Sequence, residues 1–314
     1  MRVRCRSSLG EPEGGTGHCD VRALYAGAMP DLSLAAAVRA AAQRLADAGV
    51  PDPLVDAELL AGHVRGQRRG EVQAAIVRGD RLDDDDATAL DALVARRAGR
   101  EPLQHLTGTA PFRHLELAVG PGVFVPRPET ETVAQYAIDA LLGSGDPSPI
   151  GVDLGTGSGA IALAMATEVP HARVYAAEIS PEAHVWARRN VEGVENLTLV
   201  LSDLADAFPE LDGTAAVVIS NPPYVPAQAI PRDPEVRLFD PALALYGGED
   251  GLDVVRVLST RALRLLRPGG MLVIEHGELQ GSPIRELLAA DGWRAAATHR
   301  DLTLRDRATT AVRP

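Results

Sequence analysis

The sequence predicts an α/β fold in which a small helical domain and a β-hairpin linker precede a doubly wound, mostly parallel sheet. From Ile150 onward, apolar runs of strand length alternate with helical patterns, as in βαβ units. Between residues 32 and 100, apolar residues recur only at helical spacing. Three glycines directly follow the first strand of the alternating part. Such glycines let the backbone turn sharply beside a ligand, so we expect binding at the carboxyl ends of the strands.

Charge and composition exclude several classes of function. The 314 residues carry 31 basic and 43 acidic side chains, a net charge of −12. This charge favours a basic protein partner and argues against unspecific binding to nucleic acid. All the basic residues are arginine, which excludes lysine-dependent chemistry such as a Schiff base. No apolar run approaches the ~18 residues of a membrane span, so we expect no membrane association.

The two cysteines are Cys5 and Cys19, and their spacing matches no zinc motif. We therefore expect no metal site and a reducing, cytoplasmic setting. Both cysteines lie in residues 1–30, a polar stretch without the apolar core of a secretory signal. We predict that this stretch is a disordered N-terminal extension, or one created by assigning the start of translation too far upstream. Met29 is then the candidate start.

Residues 31–100 are predicted to form a helical domain for substrate recognition. Ser33 is a candidate N-cap, directly before the first helical pattern. The helices are marked by apolar residues at helical spacing: Leu34, Val38 and Leu45; Val55, Leu59 and Leu60; Val72, Ile76 and Val77; Leu90, Leu93 and Val94. Asp83 to Asp86 are interpreted as an acidic first turn, which the helix dipole favours, and not as a cation site.

Residues 101–125 are predicted to form the β-hairpin linker, because apolar residues partly alternate there between prolines and glycines. Residues 126–314 are predicted to form the catalytic domain, which opens with a helix running to about Leu142. Strands are predicted at 150–154, 173–178, 197–201, 215–220 and 271–275. Intervening helices are predicted up to Glu168 and at 181–191, 252–266 and 282–290. The last two segments, 293–297 and 308–313, are predicted to pair.

The first candidate site is the loop Gly155-Thr156-Gly157-Ser158-Gly159, directly after the first strand. Taken alone, this pattern also fits a dinucleotide site. Glu178 ends the next strand, where a carboxylate accepts both ribose hydroxyls. Asp203 follows the third strand and can meet an adenine amino group. Together they predict a nucleoside pocket, and they favour S-adenosylmethionine over a nicotinamide cofactor because nothing here requires a pyrophosphate.

The second candidate site is Asn221-Pro222-Pro223-Tyr224, directly after the fourth strand. The lone pair of an amide or arylamine nitrogen is delocalised, so the nitrogen must be held and polarised before it attacks a methyl group. The Asn221 side-chain oxygen can accept one N–H and the Pro222 carbonyl the other. Pro223 confines Pro222 to an extended conformation, and Tyr224 offers a flat face to a planar group. Asn221, Pro222 and Tyr224 are therefore the predicted catalytic residues.

With these motifs, the sequence resembles the class I S-adenosylmethionine-dependent methyltransferases of the HemK/PrmC type. The resemblance covers about residues 32–313. Besides the two candidate sites, it rests on Ser202-Asp203 and on segments 102–108, 124–131, 247–252 and 266–270. It implies a Rossmann-like methyltransferase fold and a glutamine side-chain nitrogen as the methyl acceptor.

The resemblance further implies the substrate, the glutamine of the Gly-Gly-Gln loop of peptide-chain release factors. The helical domain would dock the release factor, and a monomer is expected. S-adenosylmethionine would be held by Gly155 to Gly159, Glu178 and Asn221, with Asp203 and Leu204 around its adenine. Asn221, Pro222, Pro223 and Tyr224 would grip the glutamine. The sequence departs from the family at Glu178, which is often Asp, and at Leu304, which is often Gly.

Several alternatives stay open. They are a glutamine methyltransferase that acts on a ribosomal protein, an adenine-N6 nucleic-acid methyltransferase, a nicotinamide dehydrogenase and a non-catalytic module that binds release factors. The segment with Glu235, Phe239 and Pro241 is either a loop over the substrate or a surface crossover. Arg127 either positions a ligand or forms an exposed salt bridge, and His276 is interpreted as structural.

Overall fold

The computed structural model describes residues 33–314. The predictions for residues 1–30, including a start at Met29, lie outside the described residues. No helix within the described range is both long and apolar enough to cross a membrane.

Four helices form the N-terminal region: α1 (Leu34–Asp47), α2 (Pro53–Arg65), α3 (Arg69–Arg78) and α4 (Asp84–Ala98). Ser33 caps α1, because its hydroxyl accepts a hydrogen bond from the Ala36 N–H. Asp83 caps α4 in the same way through the Asp86 N–H, at 2.7 Å. The acidic run is therefore a helix start. The apolar faces of the four helices enclose one core, which includes Leu34, Val38, Leu45, Leu60, Val72 and Val94.

A short helix and a hairpin lead into the sheet: α5 (Leu103–Thr107), β1 (Thr109–Phe112) and β2 (Leu115–Ala118). The two strands pair antiparallel, as expected for the hairpin. The prediction of strands and turns alone over 101–125 missed α5. Leu106 of α5 belongs to the helical core, whereas Phe112 and Leu117 pack in the core of the sheet. The hairpin is thus part of the sheet's packing as well as a connection.

The large sheet has seven strands: β3 (Ile150–Leu154), β4 (Arg173–Glu178), β5 (Leu197–Leu201), β6 (Ala215–Ser220), β7 (Leu266–Glu275), β8 (Arg294–Arg300) and β9 (Asp306–Val312). Their order is β5-β4-β3-β6-β7-β9-β8, and β9 runs antiparallel to both of its neighbours. The chain leaves β3 toward β4 on one side and later returns to β6 on the other. The boundary between β3 and β6 is therefore the switch point at which ligands bind in such sheets.

Seven further helices accompany the sheet: α6 (Pro128–Leu142), α7 (Ala160–Glu168), α8 (Pro181–Asn190), α9 (Pro234–Phe239), α10 (Ala242–Leu245), α11 (Asp253–Leu265) and α12 (Gly281–Ala290). Residues of α6, α7 and α8 pack on one face of the sheet, and those of α11 and α12 on the other. This is the Rossmann-like arrangement that the sequence predicts. The sequence pattern does not predict α9 or α10, and it predicts only the last five residues of β7.

The turn between β8 and β9 forms with leucine at a position that favours glycine. Leu304 has a φ of +65° and its side chain is exposed. Asp301 closes the turn, since its Oδ1 accepts hydrogen bonds from the N–H groups of Thr303 and Arg305. The departure from the family pattern at Leu304 therefore leaves the turn in place but puts an L residue in the left-handed region.

Replacing Leu304 with glycine should raise the free energy of unfolding by about 0.5–1 kcal/mol. The left-handed conformation costs an L residue about 1–2 kcal/mol, part of which glycine loses again in chain entropy. Leu302→Gly is the matched control, because Leu302 is exposed in the same turn without a positive φ. It should lower stability instead. Chemical denaturation measures both, and equal effects of the two substitutions would contradict the assignment of strain to Leu304.

Candidate active site

The two candidate sites meet at the switch point between β3 and β6. The hydroxyl of Ser220, the last residue of β6, donates to the carbonyl of Leu154, the last residue of β3, at 2.6 Å. This bond aligns the two strand ends. A cavity of about 690 Å³ opens beside them, a size typical of sites for small molecules.

The glycine loop follows β3 and forms one wall of this cavity. Gly155, Gly157 and Gly159 have φ values of +77°, +58° and +86°, which residues other than glycine rarely adopt. Gly155 to Ser158 line the cavity, whereas Gly159 is the N-cap of α7 and does not. Asp153 supports the loop from inside β3: its Oδ2 accepts from the Thr156 hydroxyl at 2.6 Å and from the Ala162 N–H at 3.1 Å.

Glu178 also holds the glycine loop. Its Oε2 accepts from the Gly157 N–H at 2.7 Å and its Oε1 from the Ser180 N–H at 2.8 Å. A carboxylate offers about four lone-pair positions, so capacity remains for hydroxyl groups of a ligand. Asp203 and Leu204 lie after β5 and line the same cavity. Glu178 is one methylene longer than aspartate, and its carboxylate reaches the backbone of the glycine loop. The sequence pattern does not predict this contact.

Asn190, at the end of α8, is a supporting residue that the sequence analysis missed. Its side-chain amide donates to the carbonyls of Ala118 and Ser158, both at 2.9 Å, and accepts from the Ala118 N–H. It therefore joins the hairpin to the glycine loop. No local motif marks Asn190, because its partners lie 72 and 32 residues away in the chain.

Asn221 to Tyr224 line the same cavity as the glycine loop. Among the turn and loop hydrogen bonds of residues 33–314, none uses the Pro222 carbonyl. Glycines back the motif closely: a Cβ on Gly247 would clash with the Pro223 carbonyl, and one on Gly251 with that of Tyr224. Gln280 donates to the Tyr224 carbonyl at 2.9 Å. The backbone of the motif is therefore packed closely against segment 247–252 and bonded to Gln280. This close packing explains the glycines of that segment.

Known proteins similar to this chain share both of its parts. Residues 36–108 match the family model described as the PrmC N-terminal domain, and residues 146–246 match the methyltransferase small domain. The release factor glutamine methyltransferase of Streptomyces coelicolor is 52% identical over 280 residues, which are 88% of this chain and 97% of that protein. This chain belongs to the release factor glutamine methyltransferase family. The enzyme of that name from Bifidobacterium longum is 46% identical over 287 residues, 88% of this chain and 98% of its own.

One relative with another name matches a shorter part of the chain. The 4-amino-L-phenylalanine/4-methylamino-L-phenylalanine methyltransferase of Streptomyces pristinaespiralis is 44% identical over 223 residues. These are 70% of this chain and 76% of that protein. The release factor glutamine methyltransferases therefore match this chain over more of its length. The family and the fold together make the chain a class I methyltransferase.

In this member of the release factor glutamine methyltransferase family, Arg127 lies at the cavity wall and forms a largely buried salt bridge. Its guanidinium donates to Asp240 Oδ2 at 2.7 Å and lies 4.9 Å from the centre of the Phe124 ring. Burial raises the pKa of Asp240 to about 6, although Arg127 opposes this shift. The predicted alternative of an exposed salt bridge is wrong, because Asp240 is fully buried.

The segment after the Asn-Pro-Pro-Tyr motif lines the cavity with some of its residues and bonds to the N-terminal helices with another. Asp233, Val236 and Pro241 line the cavity, whereas Phe239 does not. Glu235 bonds to Arg97 and Arg100 of the helical region. The segment is thus a cavity wall attached to the N-terminal helices. The sequence predicts a loop over the substrate or a surface crossover here, but it does not predict the bonds from Arg97 and Arg100 to Glu235.

His276 is buried next to the site but is not part of the cavity lining. Its Nε2 lies 2.9 Å from the Thr309 hydroxyl and its Nδ1 lies 2.8 Å from the Gly277 carbonyl. Burial lowers the pKa of His276. Both ring nitrogens are therefore engaged within the fold, which supports the structural interpretation of this residue.

Replacing Asp153 with asparagine should remove a pH dependence of stability. Burial raises the pKa of Asp153 to about 7, against the hydrogen bonds from Thr156 and Ala162. Because the folded-state pKa is raised, this group favours folding below about pH 4, and the contribution is lost as the pH rises through 7. The loss amounts to about 4 kcal/mol at most. The free energy of unfolding, measured from pH 4 to 8, should fall more steeply in the wild type than in the variant.

The control for this comparison is Asp91→Asn, because Asp91 is exposed on α4. Its stability curve should run parallel to that of the wild type. A parallel curve for Asp153→Asn would show that Asp153 does not titrate in this range.

Proposed function

We propose that this protein transfers a methyl group from S-adenosylmethionine to N5 of the glutamine in the Gly-Gly-Gln motif of peptide-chain release factors. The observation that carries the proposal is that the glycine loop and Asn221 to Tyr224 line one cavity at the switch point between β3 and β6. One cavity therefore holds two candidate oxygen acceptors and a wall suited to a nucleoside. The relatives that match nearly the whole chain bear the name of this activity.

The residues present fit S-adenosylmethionine. The backbone of Gly155 to Ser158 borders the cavity, and a Cβ on Gly157 would meet no other group, so this wall is open to a ligand. The Glu178 carboxylate would accept the ribose hydroxyls, and Asp203 and Leu204 would border the adenine. Asn221 would lie between cofactor and substrate. When bound, the cofactor supplies a methyl group attached to a positively charged sulfur.

The chain's own residues would orient the acceptor nitrogen. The Asn221 Oδ1 and the Pro222 carbonyl each accept one N–H of the glutamine amide and direct the N5 lone pair toward the methyl group. The same oxygens would stabilise the positive charge that develops on N5 as the N–C bond forms. The bound cofactor would supply the methyl group, and its sulfur would keep the electron pair of the broken bond. Tyr224 packs its ring against the planar amide. N5 then releases a proton to water, so no general base is required.

Burial raises the pKa of Tyr224 to about 12, and the charge of Glu275 adds to this shift. The tyrosine therefore stays neutral at physiological pH and presents an uncharged ring to the amide. This fits a role in holding the substrate and not in removing a proton.

A small arylamine is the second candidate substrate, because one relative with 44% identity is named for aminophenylalanine methylation. The acceptor pair on Asn221 and Pro222 fits an arylamine nitrogen equally well. The release factor is favoured because the similarity to its methyltransferases extends over the N-terminal helices. We propose that these helices dock the release factor and that the enzyme acts in the cytoplasm as a monomer without stable binding to nucleic acid.

Methyl transfer from labelled S-adenosylmethionine to purified release factor tests this function. Label should appear on the wild-type factor and be absent when the glutamine of Gly-Gly-Gln is replaced by alanine. Parallel reactions contain a ribosomal protein fraction, adenine-containing DNA or 4-aminophenylalanine. Label on one of these alone would reassign the substrate, and label on none would overturn the proposal.

A further inference from the structure

A buried carboxyl group, Glu275, lies directly behind the proposed catalytic amide. It ends β7, the parallel neighbour of β6, and Ser220 pairs with Ile274 in their register. The next residue along each strand is Asn221 and Glu275, respectively. Glu275 is only 1% exposed and does not line the cavity, whereas Asn221 does. The carboxyl group therefore contacts the site through Asn221 and not directly.

The surroundings of Glu275 leave its carboxyl group incompletely bonded. Among residues 33–314, its Oε2 and the nearby Thr130 hydroxyl are both buried without a well-formed hydrogen bond, although Thr130 and Asn221 lie close enough to lower the pKa of Glu275. Such a group is costly in a protein interior and is expected to have a function when it persists. The proposed mechanism of methyl transfer does not use it.

The charged and polar groups around Glu275 come from three elements: α6, β9 and the loop after β6. Burial raises its pKa to about 7, and Glu129 of α6 adds to this shift. Thr130 of α6, Arg307 of β9 and the side chain of Asn221 oppose it. Tyr224 also lies within the field of Glu275. The register of β6 and β7 places the Asn221 amide beside Glu275. An amide side chain stabilises a carboxylate by donating an N–H, and the lowering of the Glu275 pKa by Asn221 agrees with an NH₂ group turned toward the carboxylate.

The orientation of the Asn221 amide decides what it presents to the substrate. An asparagine side chain has an acceptor oxygen on one side and a donor NH₂ on the other. An ionised carboxylate only accepts hydrogen bonds, so it takes the NH₂ group and leaves Oδ1 for the cavity. A protonated carboxyl group can instead donate to Oδ1, which would turn the NH₂ group toward the substrate nitrogen and remove the acceptor.

We propose that Glu275 is a positioning residue that holds the Asn221 amide with its oxygen toward the acceptor nitrogen. The inference rests on the proposed function for its kinetic consequence, but the orientation itself does not depend on which substrate is methylated. Glu275 does not line the cavity, so it acts on the acceptor nitrogen through its neighbours, and Asn221 is the neighbour that supplies a proposed acceptor oxygen. The rate of methyl transfer should then rise with the ionisation of Glu275 and level off once it is charged.

Glu275→Gln is the variant that tests this. Glutamine keeps the shape but can donate as well as accept, so it no longer selects one orientation of Asn221. We expect kcat to fall roughly ten- to hundredfold, the KM for release factor to change little and the rise in kcat near neutral pH to disappear. Glu278→Gln is the matched control, since Glu278 is exposed three residues away. It should keep the wild-type rate and pH profile.

A second measurement is independent of activity. The side-chain NH₂ resonances of Asn221 should titrate with a midpoint near neutral pH in the wild type, and this transition should be absent in Glu275→Gln. If Glu275→Gln does not fold, Glu275→Asp replaces it. A displaced titration midpoint of Asn221 in that variant supports the inference.

Two outcomes overturn the inference. One is a folded Glu275→Gln variant with wild-type kcat and pH profile. The other is an Asn221 signal that does not respond to pH, or that responds identically in the variant. Failure of the proposed function would appear separately, as wild-type enzyme that labels no release factor while the Asn221 titration is still observed.

Discussion

Replacing Asn221 with alanine should reduce kcat for methyl transfer by roughly 10²-fold or more. The side chain lines the cavity directly after β6 and supplies one of the two oxygens that we propose orient the acceptor nitrogen. Loss of a preorganised contact to developing charge typically costs 10²–10³ in kcat. The KM for release factor should change less, because the contact strengthens as positive charge develops on the nitrogen. Steady-state kinetics with labelled S-adenosylmethionine measure both constants.

A matched control is Asn196→Ala. The Asn196 amide donates to the carbonyls of Ala166 and Ala172 at 3.0 and 3.1 Å, and it does not line the cavity. Its removal should lower the free energy of unfolding but leave the rate per folded molecule unchanged. If Asn221→Ala keeps a rate within threefold of the wild type, the proposed role of its side-chain oxygen is wrong.

The strands and turns that are determined by a short stretch of sequence could be predicted. An apolar run of strand length followed by glycines, or by Asn-Pro-Pro-Tyr, indicates a strand end and a turn without reference to the rest of the chain. β3 and β6 were therefore placed correctly with the loops that follow them. That both loops face one cavity follows from the switch point, a property of the parallel sheet.

The supporting contacts could not be predicted in the same way. Asp153 lies two residues before the glycine loop, but the bond that it accepts from the Ala162 N–H depends on how α7 begins. Asn190 bonds across 72 residues and Glu235 across 138, and no sequence pattern reports such a separation. Glu275 ends a predicted strand, yet only the register of β6 and β7 places it behind Asn221. The roles assigned to the cavity residues stay predictions until a ligand is bound.

A buried ion cluster joins the N-terminal helices to the wall of the cavity. Arg97 of α4 donates to Asp56 of α2 and to Glu235 of α9, both at 2.7 Å. Arg100 donates to both oxygens of Glu235, at 2.8 and 2.5 Å. Burial alone would raise the pKa of Glu235, but the bonds with Arg100, Asp233 and Arg97 outweigh it and lower the pKa to about 2. The buried Glu235 carboxylate therefore stays ionised only while Arg97 and Arg100 remain bonded to it.

Replacing Arg97 with alanine should lower the free energy of unfolding by about 3–5 kcal/mol at neutral pH, because Asp56 and Glu235 stay buried with fewer partners. Because the folded-state pKa of Glu235 is depressed, its contribution is present above about pH 4.5 and is lost as the pH falls toward 2. The difference between wild type and variant should shrink over that range. Chemical denaturation at several pH values measures it.

Arg44→Ala is the matched control, because the Arg44–Asp91 pair has the same 2.7 Å separation but side chains that are 45% and 75% exposed. An exposed pair contributes at most about 1 kcal/mol, so this variant should stay near the wild type. Equal effects of the two substitutions would contradict the cluster's role. Arg97→Ala should also raise the KM for release factor. Arg97 holds Glu235 of α9, and the next residue of that helix, Val236, belongs to the cavity wall. Recognition by the helices and the shape of the cavity would then depend on one another through this cluster.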